Sequence, residues 1–336
     1  MTNGRSAFEL EKALDSRKLE YVLVKANDIT GKARTLGPCS NISRSTRGGP
    51  VVASIPRHDY PVAGMADGIA VLDETASWVL ERLEQSDIAR SQALNAMLTL
   101  AKSRCAMDPQ VTKFATWEAW VTAMQVGSAL FAAATTTEDG VSCRIREETM
   151  NLPATGPQTH VNAGTWITSF YLAVICREKE RLAELAQVPV AFLRESGAVF
   201  DEYIYAWVET LQSFWFSRDD TWDKLATAVD GTSPEATQYA DSELMLKILY
   251  PPIILFYRYL SRDAEQFGEA LTDALKWHKE YWSAGEDRST NSDGLVALGP
   301  LAIACMARDA DMPIEVESEY LPKELLEFGW VGEIDT

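Results

Sequence analysis

The residues with the clearest chemical spacing are Asp219, Asp220 and Asp223 in Asp219-Asp220-Thr221-Trp222-Asp223. Carboxylates one helical turn apart can share a hard cation, and Asp-Asp-x-x-Asp is how all-α isoprenoid enzymes hold magnesium on a diphosphate. Three features weigh against that chemistry. The motif follows the central helices instead of lying in the first third of the chain, no second Asn/Asp-x-x-Ser/Thr-x-x-x-Glu motif follows it, and one Asp-Asp pair is expected by chance in so acidic a chain. The plainer reading is a solvated acidic helix start.

Nucleophilic catalysis would have to use His58, His160 or His278, the only histidines. His58 adjoins Asp59 in a Pro/Gly-rich segment, His160 precedes a helix, and His278 sits on an apolar helical stripe where a hydrogen-bonded core histidine is the ordinary outcome. Cys39, Cys105, Cys143, Cys176 and Cys305 are odd in number and scattered, with no Cys-x-x-Cys pair. They read as reduced thiols of a cytoplasmic protein. His-Glu-x-x-His, Gly-x-Gly-x-x-Gly and P-loop patterns are absent. We therefore expect no catalytic residue, no metal and no cofactor.

The elements that must position these residues are helical. Trp78 to Leu100 and Trp117 to Leu130 carry apolar residues at three- and four-residue intervals, and Thr116 is the expected N-cap of the second run. Trp166 to Cys176 is apolar on most sides, which places it near the centre of the fold. Tyr203, Ile204, Trp207, Val208, Leu211, Phe214 and Trp215 form the stripe of a half-buried helix. Further helices are expected from Ser233 to a break at Pro251-Pro252, over Ile253–Leu260, over Asp263–Trp282 and over Leu295–Met306. A first amphipathic helix is expected from Ser6 to Lys25. Residues 27–68 and 135–159 read as irregular, the former with Arg44, Arg47 and Arg57 in a polar loop. The expected architecture is all-α, a multi-helix bundle or stacked helical hairpins without a motif of constant period. Residues 1–70 would hold the N-terminal helix and irregular segment, and 71–336 the main helical domain.

The formal charge of −18 is unevenly spread. Residues 1–60 carry 10 Lys+Arg against 6 Asp+Glu, residues 61–194 carry 11 against 15, and residues 195–336 carry 10 against 28. Such a surface repels nucleic-acid phosphate and attracts basic partners, although acidity also serves solubility alone. No stretch is apolar and long enough to read as a membrane span.

At His160-Val161-Asn162-Ala163-Gly164-Thr165-Trp166, at Cys176-Arg177-Glu178, and at Asp201 to Trp207, with Tyr203 and Tyr205 between, the chain resembles the immunity protein 49 family of bacterial polymorphic toxin systems. The resemblance extends from about residue 70. It implies a helical, non-catalytic protein that protects its producer by binding a cognate toxin domain. His160, Asn162, Trp166, Arg177, Glu178, Asp201, Tyr203 and Trp207 then read as structural. A nuclease toxin presents a basic cleft, so the expected partner-binding residues are the acids Asp219, Asp220, Asp223, Glu286, Asp287, Asp293, Glu315, Glu317 and Glu319. The alternatives are a magnesium-dependent isoprenoid diphosphate enzyme and a helical adaptor.

Overall fold

The computed structural model describes residues 53–330 and Gly332, so the helix expected over Ser6 to Lys25, and Arg44 and Arg47, lie outside the described residues. Within them the chain is mainly helical, as the sequence predicts. A short strand β1 (Ala53–Ile55) leads to α1 (Met65–Leu80) and α2 (Asp87–Arg104), which pack as a hairpin. The boundary expected near residue 70 falls inside α1. Ser86 caps α2 by accepting the Ala89 amide, and Lys102 and Arg104 sit in its last turn, where the helix dipole favours positive charge.

The most enclosed helix is α3 (Phe114–Thr135), which is buried on nearly every side after its first turn. It packs on α2 and on α4 (Ala163–Ile175). Gly127 sets the closeness of α3 and α4, because a Cβ there would lie 2.6 Å from the Ser169 hydroxyl. Helix α3 starts at Phe114, so the expected cap Thr116 falls inside its first turn. Asp108 supplies the acceptor from outside the helix, taking the Thr112 amide at 3.0 Å and the Lys113 amide at 2.9 Å.

Residues 135–159 correct the expectation of an irregular loop. Strands β2 (Gly140–Ile145) and β3 (Glu148–Pro153) form an antiparallel hairpin in which Val141 faces Leu152 and Cys143 faces Met150. Arg146 turns the chain with a φ of 56°, and its amide donates to Gln125 Oε1 at 2.7 Å, tying the turn to α3.

Helix α4 touches α3, α5 (Lys179–Gln187), α7 (Glu202–Trp215) and α13 (Leu298–Asp309), so it is the hub of the helical layers. The short α6 (Val190–Glu195) precedes α7, which hairpins with α8 (Thr221–Asp230). Past α8 the expected helix from Ser233 is absent. The chain turns irregularly to Asp241, which caps the single turn α9 (Ser242–Leu244), and a π turn over Met245–Leu249 runs directly into α10 (Pro251–Leu260). Pro251 and Pro252 explain the π turn. They have no N–H for the carbonyls four residues back, and the Tyr250 amide instead reaches Met245 O at 2.9 Å.

Helix α11 (Ala264–Trp282) fills the expected span and hairpins with α10, and Asp263 caps it by accepting the Gln266 amide. The polar stretch after it contains a turn of helix, α12 (Glu286–Ser289), and a 3₁₀ turn over Ser292–Leu295. That turn delays α13 by three residues from its expected start at Leu295. The tail then adds β4 (Val316–Ser318), parallel to β1 with Ala53 opposite Val316, and α14 (Lys323–Glu327).

One connection recurs. Helices α4, α7, α10 and α13 each end on a non-glycine residue in the left-handed region: Arg177, Ser217, Arg262 and Asp311. Each closes the same pair of bonds, as where the Arg177 amide reaches Val174 O at 3.1 Å and the Glu178 amide reaches Ala173 O at 2.9 Å. The first three reverse the chain into a packed hairpin with the next helix.

The core is continuous across these layers. Trp120, Trp166, Tyr257, Tyr320, Phe131, Phe170, Phe256 and Phe267 are fully buried, each contributing about 3 kcal/mol of transfer free energy as an upper bound.

Candidate functional site

The family-like residues hold elements together. Asn162 forms a capping box at the start of α4: its Oδ1 accepts the Thr165 amide at 3.0 Å, while its own amide donates to Thr165 Oγ1 at 3.0 Å. The Thr165 hydroxyl in turn donates to the His160 carbonyl at 2.9 Å. The His160 imidazole is half-buried, and burial, helped by Arg90 and opposed by Asp87, pulls its pKa below the ordinary histidine value. Trp166 lies wholly inside, and its indole N–H donates to Leu185 O at 2.8 Å, tying α4 to α5. Trp207 ties α7 to α4 by donating to Tyr171 Oη at 2.9 Å.

Arg177 has the densest set of contacts. Nε and Nη2 grip Asp309 on α13 at 3.0 and 3.1 Å, Nη1 donates to Ile175 O and Leu325 O at 2.7 Å each, and Nη2 reaches Leu326 O at 2.8 Å. A planar guanidinium with five donors is the side chain suited to serve a carboxylate and several carbonyls at once. Glu178 contributes through its backbone, closing the end of α4.

Asp201 precedes α7 and is buried. Its carboxylate accepts the amides of Gln238 at 2.6 Å, Tyr239 at 3.1 Å and Ala240 at 3.0 Å. Tyr203 is buried beside it and packs against Gly231, where a Cβ would stand 2.7 Å from the tyrosine Cβ.

The acidic positions fall in two regions. Asp219, Asp220 and Asp223 lie where α7 turns into α8, and α8 packs on α7 and α10. Asp219 and Asp223 are exposed. Asp220 points back into the fold: the Ser213 hydroxyl bonds it, Lys224 lies 3.2 Å away, and these partners, Ser213 foremost, hold its carboxyl below the usual range. The three carboxylates therefore face different surroundings. The remaining positions lie after α11 and along β4. Glu286, Asp287, Glu315 and Glu317 are exposed, whereas Asp293 pairs with Lys102 at 2.7 Å and Glu319 accepts the Arg57 amide at 3.4 Å. Among the described residues, no group of three or more His, Cys, Asp or Glu is arranged to hold a metal ion.

Two histidines meet at Tyr320. The His58 amide donates to Tyr320 Oη at 2.8 Å, and His58 Nδ1 lies 2.9 Å from the same oxygen. The His278 ring packs 4.7 Å from the Tyr320 ring, and its Nε2 bonds the Gly294 carbonyl at 3.0 Å. A carbonyl only accepts, so His278 Nε2 carries a proton. Burial drives its pKa down to about 3. This cluster joins residues far apart in sequence, and no local spacing announces it. The signal for the Asp201 loop is equally faint, since Tyr239 lies in an unpatterned stretch.

The fold and its sites thus define a mainly helical protein whose distinctive side chains connect helices. The immunity protein 49 family model matches residues 108–325, and the chain belongs to this family. No curated protein and no solved structure matches the chain. Among the described residues, no helix is long and apolar enough to cross a membrane.

Proposed function

We propose that this immunity protein binds and neutralises a cognate toxin domain in the cytoplasm, without catalysis of its own, by laying an acidic surface over a basic active site such as that of a nuclease. The observation that carries this reading, beside family membership, is the 28 Asp+Glu against 10 Lys+Arg in residues 195–336. Asp219, Asp223, Glu286, Asp287, Glu315 and Glu317 are exposed, which supports this reading by leaving part of that charge at the surface. Opposite charge on the two proteins speeds encounter more than it deepens affinity. His160, Asn162, Trp166, Arg177, Glu178, Asp201, Tyr203 and Trp207 act in this reading by holding the fold.

The test is stopped-flow association with the toxin domain encoded beside this gene. We expect the association rate to fall by about tenfold or more from low to physiological salt. A rate indifferent to salt would remove the steering mechanism.

A further inference from the structure

Resting on that reading, we infer that the toxin seats on the corner formed by Val199 and the Gln238–Ala240 turn, with the Tyr239 ring as its central anchor.

The corner is built at some cost. A carboxylate withdrawn from water is unfavourable unless its oxygens are fully satisfied, and Asp201 achieves this by collecting three consecutive backbone amides. Residues 231–240 are thereby fastened at both ends to the start of α7, by Gly231 against Tyr203 and by residues 238–240 on Asp201. Two family-like side chains are thus spent on one irregular stretch. Yet the most prominent side chain they fix points outward: Tyr239 is 64% exposed. Val199, two residues before Asp201, is 65% exposed.

Trp78, Phe114 and Phe216, the other aromatics among the exposed large apolar side chains, have company. Arg82 lies over the Trp78 ring at 4.4 Å, Trp330 meets Phe114 edge-on at 6.1 Å, and Arg218 covers Phe216 at 5.1 Å. Tyr239 instead presents its ring from a backbone already held in place. A tyrosine on a pre-ordered turn gives contact area with little further loss of freedom on binding, which is what an interface anchor requires.

The surroundings specify the partner. Glu235 and Asp241 flank Tyr239 and are exposed, and no Lys or Arg stands between Lys224 and Lys247, whereas Glu202 and Glu243 are engaged, by Arg194 and by Lys247 and Arg288. An apolar centre with an acidic rim fits a protein surface that offers a pocket for an aromatic ring bordered by Lys and Arg. On the proposed reading, the basic face of the toxin domain supplies that chemistry.

The experiment is calorimetric titration of the full chain with the toxin domain encoded beside this gene, inactivated by substitution. We expect Tyr239→Ala to weaken binding by about tenfold or more, and Val199→Ser by about threefold, with the thermal midpoint unchanged because both side chains are exposed. Asp201→Asn should weaken binding and speed hydrogen exchange at the 238–240 amides together. If the unsubstituted protein fails to bind, the toxin-binding reading itself falls. If it binds tightly and Tyr239→Ala binds within about twofold of it, the function stands and this surface is overturned.

Discussion

Arg177 and Asp201 lie in the same central stretch of chain, and each is a charge withdrawn from water with backbone groups as partners. They are used in opposite directions. Arg177 gathers the ends of α4, α13 and α14 around itself, and everything it touches belongs to the body of the fold. Asp201 gathers one turn whose amides it satisfies and whose Tyr239 ring faces solvent. The contrast teaches that burial and hydrogen bonding of a distinctive side chain do not reveal whether its purpose is internal. What its partners present on their far side does.

Breaking the inward charge has the larger expected effect. Arg177→Ala leaves the carbonyls of Ile175, Leu325 and Leu326 without their donor and should cost about 3 kcal/mol in urea unfolding. Arg177→Gly loses the same contacts but suits the φ of 57° and should cost about 1 kcal/mol less. Equal losses would mean that the left-handed turn adds nothing. Asp201→Asn should cost about 2 kcal/mol, with faster amide exchange concentrated in residues 238–240. A loss as large and as widely spread as that of Arg177→Ala would erase the distinction between the two charges. The smallest effect tests the turn alone. Ser217 occupies the same left-handed position at the end of α7 with an exposed side chain, and Ser217→Gly should gain about 0.5 kcal/mol.

Helices α3, α4, α7 and α11 were legible because their apolar residues recur at helical intervals and tertiary packing agrees with that pattern. Asp263 and Asn162 cap α11 and α4 through amides three residues on, at Gln266 and Thr165. The recurring hairpin turn carries no sequence signal because its left-handed position holds Arg, Ser, Arg and Asp in place of glycine. The β2–β3 hairpin turns at Arg146-Glu147 without the Asn-Gly or Asp-Gly that marks such turns, so its alternating residues passed for a loop. The family-like residues could be named from sequence, but their partners could not. Asp309 is 132 positions from Arg177, and Tyr239 is 38 from Asp201. The acids chosen for charge alone divide in the structure into exposed ones and ones already engaged, such as Asp220 and Asp293, a distinction that composition cannot make.

The pairing of β1 with β4 has a consequence for how the molecule is made. Residues 53–58 bond to Glu315, Ser318 and Tyr320, through the Ala53 amide to Glu315 O, the Ser318 hydroxyl to Ile55 O and the His58 amide to Tyr320 Oη. A nascent chain holds residues 53–58 long before their partners exist. This seam cannot close on the ribosome until residue 320 has been translated and has left the exit tunnel, so residues 53–58 wait for their partners while the 262 positions from His58 to Tyr320 are made.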